Sequence, residues 1–386
     1  MTQDNSKNGP AINNEESQSK IPVINIPHII QNTTKSNNSD FQENEIKKIS
    51  TKNSFSFKSN FIFTNVYMDT ITYILILSVL YSSYFLFAEL ESHVANVKSF
   101  RPEYKFPEVK DMIPAFYIFI ALMLIHQTFK YLTVDKLEKC LSTRYDKDEI
   151  SIYKNKVSTN IIKFFLYSFS TILGYYALKD FNFFPKSLGG SGNIKNAYIP
   201  GYPDYLFFDK SEYFDHYYNF NLAFVLFDTY ILVVYPFQSD FLLMVLHHLV
   251  TFNLVVFSFL VNFSHVGAVV YFIHYSGDVL SILVRICIHI NIPEIISVYL
   301  TIVFLAIFVY TRLFVFGEVF YQTFNFQINK DYSVYSLYLN SFLGVLMILN
   351  IIWIVLISKK VINFLITGKV EEIYKFKKKQ ENKKKI

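Results

Sequence analysis

The chain has 386 residues, of which 52% are hydrophobic and 18% aromatic, and its net charge is +5. Long uncharged apolar blocks exclude an ordinary soluble domain, and two cysteines are too few for a disulfide framework. The lysines are concentrated near the C-terminus and before the first apolar block. We interpret these basic segments as cytosolic orientation signals rather than as a nucleic-acid-binding surface.

The chain begins with a polar segment, residues 1–60, which is rich in Asn, Ser, Lys and Glu. This composition predicts a disordered cytosolic tail, because too little apolar surface is available to offset chain entropy. No signal peptide precedes the first apolar block, so we expect that block to direct its own insertion. Residues 61–110 are predicted to hold the first transmembrane helix and a lumenal loop. A larger transmembrane domain follows at 111–365, and a basic cytosolic tail at 366–386.

The apolar blocks predict an all-α fold, a polytopic membrane helical bundle of about eight transmembrane helices. The predicted spans are residues 67–88, 112–133, 159–179, 217–236, 240–262, 265–290, 295–322 and 335–358. An even number of spans places both termini on one side. The flanks on that side carry 20 Lys and Arg and the opposite flanks carry eight, so both termini are predicted to be cytosolic.

The fifth span carries two adjacent histidines, His247 and His248, inside a stretch without Asp, Glu, Lys or Arg that runs from Phe241 to Gly277. Ionisable groups at membrane depth are costly and are usually functional. Thr251 lies one turn after His247 and shares its face of the helix. These side chains are therefore candidates for a site within the membrane.

The sixth span carries a polar stripe in which His274, Asp278, Ser281 and Arg285 recur at helical spacing. Lipid cannot satisfy such a stripe, so it is expected to face the interior of the bundle. Only residues 262–265 separate the fifth and sixth spans, which predicts antiparallel neighbours whose polar groups face each other.

Depth along the two helices suggests how these groups pair. The histidine pair is ~12–14 Å from the cytosolic end, Asp278 ~18 Å and His274 ~24 Å. Asp278 is therefore predicted to bond a histidine of the pair and to fix its tautomer, while His274 contacts substrate or supports the site. Thr251, Ser281 and Arg285 are predicted to bind substrate. So is Asp228, which either lines the same cavity or pairs with Arg285 or Arg312.

Three roles are open to the histidines. One histidine can act as a nucleophile or general base on an activated acyl donor. The imidazoles can instead hold a metal, although membrane di-iron enzymes need about eight histidines and few of the nine here lie in the predicted core. Finally, the histidines can merely bond helices together. We expect acyl transfer without a metal.

Together these residues resemble the ceramide synthase branch of the TLC-domain family. HHLVT at 247–251 resembles the family's HH[IL]VT, and HYSGDVL at 274–280 resembles the start of its HDxSDxxLE segment. Asn262 and Gly267 lie between the two segments, as in the family. The resemblance covers about residues 65–365 and makes the predicted transmembrane domain TLC-like.

The resemblance implies an enzyme of the endoplasmic reticulum that transfers a fatty acyl group from acyl-CoA to the amine of a long-chain base. Acyl-CoA is then the co-substrate, and no further cofactor is expected. The family's motifs assign the catalytic roles to His247, His248, His274 and Asp278. Membrane lipid surrounds such a protein, and a homodimer or heterodimer is an open expectation. Lys383 and Lys384 resemble a dilysine retrieval signal.

The chain departs from the family's pattern at Tyr275, which replaces its first Asp, at Gly277, which replaces its Ser, and again near the end of the motif, at Ser281, where the terminal Glu is missing. A His-Tyr pair also resembles translocation-associated TLC proteins. The alternative function is therefore a non-catalytic TLC-domain protein that assists membrane-protein translocation or lipid homeostasis. The intact histidine pair and Asp278 favour the acyltransferase.

Overall fold

The structure is a computed structural model that describes residues 39–142, 145, 147–199, 201–235, 240–290, 292–330 and 333–367. The chain divides into two units, residues 1–64 and 65–386, and the helical bundle and its cavity lie in the second. The helices are α1 (Ser39–Lys98), α2 (Ile113–Leu141), α3 (Lys147–Leu178), α4 (Phe214–Val234), α5 (Phe241–Leu260), α6 (Ser264–His289), α7 (Glu294–Val309), α8 (Phe316–Lys330) and α9 (Val334–Thr367).

The described residues confirm the all-α fold and the eight predicted spans. The helical segments long and apolar enough to cross a membrane are Asp69–Lys98, Val109–Leu141, Ile152–Leu178, Phe214–Val234, Phe241–Leu260, Ser264–His289, Ile295–Gln327 and Val334–Ile366. Several helices extend beyond the predicted ends, because the backbone remains hydrogen-bonded after the apolar stretch has ended. The domain boundaries and the orientation of the termini stay predictions.

Helix α1 begins at Ser39, within the segment expected to be disordered. No Gly or Pro interrupts residues 39–60, so nothing there breaks a helix that continues into the first span. Residues 1–38 and the basic tail with its lysine pair lie outside the described residues.

Helix α6 is the centre of the bundle. It packs against α3, α4, α5 and α7, while α9 covers α5. In its most apolar stretch 61% of the residues are buried, compared with 17% in α1. The outer helices α1 and α2 instead expose large apolar side chains such as Leu77, Tyr84, Phe116 and Leu124, as expected of surfaces that face lipid. The polar stripe of α6 is therefore held inside the bundle.

The turn between α5 and α6 confirms that these helices are antiparallel neighbours. Asn262 adopts a left-handed conformation with φ 57°, which Asn tolerates better than most residues. Its side-chain amide donates to the hydroxyl of Tyr104 at 3.0 Å and to the carbonyl of Leu206. These bonds tie the turn to the loops that precede α2 and α4.

The seventh span is interrupted between α7 and α8 by a π-helical turn, Tyr310–Val315. Such turns are rare and are often found at functional sites. Here the turn brings Thr311 and Arg312 against α6 at Gly277. A Cβ atom at Gly277 would lie 3.3 Å from Thr311 Oγ1 and 3.9 Å from Arg312 Nε. A glycine at this position thus permits the close approach of Arg312 to α6.

Candidate active site

One cavity, with about 800 Å³ of empty space including the part open to the surroundings, lies between α3, α4, α5, α6 and α9. It brings together six predicted site residues, namely His247, His248, Thr251, His274, Asp278 and Asp228. The remaining two, Ser281 and Arg285, follow on α6 but are not among the described residues that line the cavity. Of the polar stripe on α6, His274 and Asp278 therefore line the cavity.

The environment of His248 fixes which of its ring nitrogens carries the proton. Thr229 on α4 donates its single hydroxyl proton to the carbonyl of Val225 at 2.7 Å. The same hydroxyl lies 3.3 Å from His248 Nδ1, so it can only accept there, and Nδ1 must carry the hydrogen. The lone pair of the neutral ring is then on Nε2, and His248 lines the cavity.

His274 is held in the same tautomer by a different partner. Its Nδ1 lies 2.8 Å from the carbonyl oxygen of Val270, one turn earlier on α6. A carbonyl only accepts, so Nδ1 is the donor and Nε2 carries the lone pair. Nε2 is buried and has no hydrogen-bond partner among the described residues, and the side chain lines the cavity.

His247 has a more apolar environment than its neighbour. Its ring packs edge-on against Trp353 of α9, with centroids 5.2 Å apart, and against His248 at 5.5 Å. Its Nδ1 is buried without a hydrogen-bond partner among the described residues. The described contacts thus hold the position of His247 by packing, whereas those of His248 include a hydrogen bond to its ring.

The described partner of Asp278 is an arginine, whereas the depths along the two helices predicted a histidine of the pair. Oδ1 of Asp278 accepts a hydrogen bond from Arg312 Nη2 at 2.8 Å, and the same guanidinium nitrogen donates to the carbonyl of His274 at 2.8 Å. Arg312 is 3% exposed, so water does not reach its guanidinium group, and the carboxylate of Asp278 compensates that charge instead. The predicted bond from Asp278 to a histidine stays a prediction.

Asp228 lines the cavity, as one of the two alternatives for it required, but its described cationic partner is neither of the expected arginines. Lys163 Nζ on α3 lies 2.9 Å from Asp228 Oδ1, and Tyr167 donates to Oδ2 at 3.0 Å. Both charged side chains are largely buried, at 15% and 13% exposure. The cavity-lining alternative therefore holds for Asp228, and Lys163, in the middle of α3, is the described cation that faces its carboxylate.

Tyr275, which stands where the family motif has its first Asp, is part of an aromatic cluster. Its ring contacts Tyr167, Phe224 and Tyr271, with centroids 5.1, 5.2 and 5.6 Å apart. The side chain is buried and lines the cavity. An aromatic wall therefore occupies the place where the motif has a carboxylate.

Sequence analysis did not assign Lys163, Tyr167 or Tyr271 to the site. Lys163 lies inside the predicted third span, whose other charge, Lys179, is the last residue of that span, and a lysine at that depth was the signal that could have found it. No three His, Cys, Asp or Glu side chains in the part of the chain that is described are close enough to hold a metal ion. The expectation of chemistry without a metal stays a prediction.

Residues 156–359, which hold this site and make up more than half of the chain, match the family model described as TLC domain. The chain therefore belongs to the TLC-domain family. Ceramide synthase 5 of Homo sapiens is 30% identical over 162 residues, which cover 41% of this chain and 40% of that protein.

Two further relatives carry the same name. Ceramide synthase 4 of Bos taurus is 30% identical over 162 residues, again 41% of this chain and 40% of that protein. Ceramide synthase 4 of Homo sapiens is 28% identical over 137 residues, or 35% of this chain and 34% of that protein. The match thus spans about 40% of the length of these relatives. They confirm the predicted ceramide synthase branch of the family.

Proposed function

We propose that the chain is an N-acyltransferase of the ceramide synthase type, which moves a fatty acyl group from acyl-CoA to the amine of a long-chain base in the endoplasmic reticulum. The observation that carries the proposal is that three imidazoles line one intramembrane cavity, and that two of them have Nδ1 against an oxygen atom, an arrangement that assigns the lone pair to Nε2. The ceramide synthases among the relatives support the choice of substrates.

The burial of the cavity walls indicates where each part of acyl-CoA lies. At the end near the turn between α5 and α6, Val255, Phe263 and Val266 are buried, so protein encloses the cavity there. At the other end the Asp278 side chain is 27% exposed. An acyl chain fits the enclosed apolar end, and coenzyme A, which is highly charged, stays outside the open end.

In the first half of the reaction His248 is the nucleophile. Its Nε2 lone pair attacks the thioester carbonyl carbon, the carbon–sulfur bond breaks, and coenzyme A leaves as the thiolate. The product is an acyl-imidazolium, in which Nδ1–H still donates to Thr229. Because the positive charge of that ring increases, the hydrogen bond from Nδ1 strengthens as the intermediate forms.

In the second half the neutral amine of the long-chain base attacks the acyl carbon. The bond from that carbon to His248 Nε2 breaks, and the electron pair returns to the ring. The amine proton passes to His247, whose ring is 5.5 Å from that of His248. His247 then releases the proton through the open end, and the amide leaves laterally into the membrane.

The two ion pairs keep the carboxylates of the cavity compensated. Arg312 engages Oδ1 of Asp278, and Oδ2 is the oxygen that can accept a hydrogen bond from an imidazolium or from the incoming amine. Lys163 neutralises Asp228 in the same way. In the proposal Asp278 therefore compensates the positive charge of an imidazolium or of the amine, from a position that Arg312 fixes, while Thr229 sets the tautomer of His248.

N-acylation of a long-chain base by acyl-CoA in microsomes tests the proposal. The wild type should form the amide, and His248→Ala and His247→Ala should lose most of the activity. His216→Ala is a matched control, because the side chain of His216 is exposed and is not among the described residues that line the cavity. If the folded wild type forms no amide with acyl donors of any chain length, the enzyme proposal fails and the non-catalytic alternative takes its place.

A further inference from the structure

A second set of polar atoms faces the cavity without a partner. Thr251 Oγ1, Tyr271 Oη and His274 Nε2 are all buried, and none has a hydrogen-bond partner among the described residues. All three side chains line the cavity, and Tyr271 and His274 are only 4% and 7% exposed. We refer to these three groups as the polar tier. Leaving such groups unpaired is unfavourable, which indicates a ligand with complementary groups.

The helical rise places the polar tier relative to the histidine pair. Counted from the turn between α5 and α6, His248 and Asp278 lie ~18–21 Å along their helices. Thr251 and His274 lie ~14–15 Å from the turn, and Tyr271 ~10 Å. The polar tier is therefore between the reacting centre and the enclosed end of the cavity.

Beyond the polar tier the walls become mostly apolar. Leu254, Val255, Val266 and Phe263 line this part together with Leu343 of α9. A molecule that fills the enclosed end must therefore combine an alkyl chain with a hydrogen-bonding group close to its reacting end. An unsubstituted fatty acyl chain supplies only the first of these features.

We propose that the polar tier recognises a hydroxyl group on the second or third carbon of the acyl chain, so that the preferred donor is a hydroxyacyl thioester. The inference rests on the proposed function, because it requires the acyl carbonyl to lie at His248 and the chain to point towards the turn. The first carbons of that chain then pass the polar tier.

The hydrogen-bonding capacities of the polar tier match one hydroxyl group. Nε2 of His274 can only accept, because Nδ1 holds the ring hydrogen against Val270, so the substrate hydroxyl donates to it. The substrate oxygen keeps two lone pairs, which accept from the hydroxyls of Tyr271 and Thr251. A site built in this way disfavours a substrate that lacks the hydroxyl, since its own polar groups are then left unpaired.

The test compares 2-hydroxypalmitoyl-CoA and 3-hydroxypalmitoyl-CoA with palmitoyl-CoA, using the full chain in microsomes. For the wild type kcat/KM should be about tenfold higher with at least one of the hydroxyacyl donors. In Tyr271→Phe this ratio should fall close to one. Tyr218→Phe is the matched control, since Tyr218 also lines the cavity but its hydroxyl already bonds Ser258 at 2.6 Å. That variant should keep the wild-type ratio.

Failure of the inference differs from failure of the proposed function. Equal use of palmitoyl-CoA and both hydroxyacyl donors by the wild type overturns the inference and leaves the acyltransferase intact. A Tyr271→Phe variant that changes the preference among acceptor bases, and not among donors, overturns it as well, because the polar tier then faces the acceptor.

If no donor is used at all, the inference can still be tested by binding. The unfolding temperature of the purified protein is then compared in the presence of 3-hydroxypalmitate and in the presence of palmitate. Stabilisation by the hydroxylated acid that depends on Tyr271 supports the polar tier as a hydroxyl site, and equal stabilisation by both acids overturns it.

Discussion

Replacing Thr229 by Val removes the group that holds the tautomer of His248 while keeping the shape of the side chain. The hydrogen bond from His248 Nδ1 is 3.3 Å long, which is longer than usual, so its contribution is in the lower half of the usual net range, about 0.5–1 kcal/mol. Without it the buried ring can move its hydrogen to Nε2, which withdraws the lone pair from the cavity. Each 1.36 kcal/mol changes a rate about tenfold, so kcat should fall roughly twofold to fivefold.

The assay is N-acylation under saturating acyl-CoA and long-chain base, with thermal unfolding in detergent as the measure of stability. Thr229→Ser is the control, because it keeps the hydroxyl, and it should retain wild-type kcat. The stability of Thr229→Val should change little, since the lost backbone contact to Val225 is local. An unchanged kcat in Thr229→Val would refute the assignment of the lone pair to Nε2.

Three further changes test other parts of the account. Gly277→Ala should lower activity and should leave the protein less stable than Gly317→Ala does. Both variants gain the helix propensity of alanine, about 1 kcal/mol, but the Cβ atom at 277 would lie 3.3 Å from Thr311 of the π-helical turn, whereas that at 317 meets only an ordinary 3.5 Å contact. Equal unfolding temperatures of the two variants would contradict this. Lys163→Met should lower the free energy of unfolding by about 3 kcal/mol, because it leaves the buried Asp228 carboxylate unpaired. Adding Asp228→Leu should restore most of this loss. A double variant that is no more stable than the single one would count against the ion pair. Phe263→Ala should shift the donor preference to longer acyl chains, because Phe263 lies between the main cavity and a smaller one and lines both. If kcat/KM across a series of acyl-CoA chain lengths is unchanged, Phe263 is not the end wall of the cavity.

The eight spans and the antiparallel pair α5–α6 could be predicted from sequence. Apolar length determines whether a helix can cross lipid, and a turn as short as that around Asn262 leaves only one arrangement. The side chains on the inner face of that pair were predicted for the same reason. His247, His248, His274 and Asp278 lie on helical faces whose direction follows from spacing alone.

The partners of the charged groups could not be predicted in this way. Lys163 and Asp228 are on different helices, and their meeting depends on how α3 packs against α4. Arg312 reaches Asp278 because a π-helical turn redirects it, and hydropathy carries no signal for such a turn. The tautomer of His248 depends on the hydroxyl of Thr229 on another helix, so it required coordinates.

The central claim is that His248 carries the acyl group between donor and acceptor. Intact-mass analysis of the purified protein, incubated with acyl-CoA in the absence of a long-chain base, tests it most directly. The account predicts a mass increase of one acyl group, located on the peptide that contains His248, absent in His248→Ala and removed when the base is added. An active wild type that shows no adduct, or a His248→Ala variant that forms the same adduct, would contradict it.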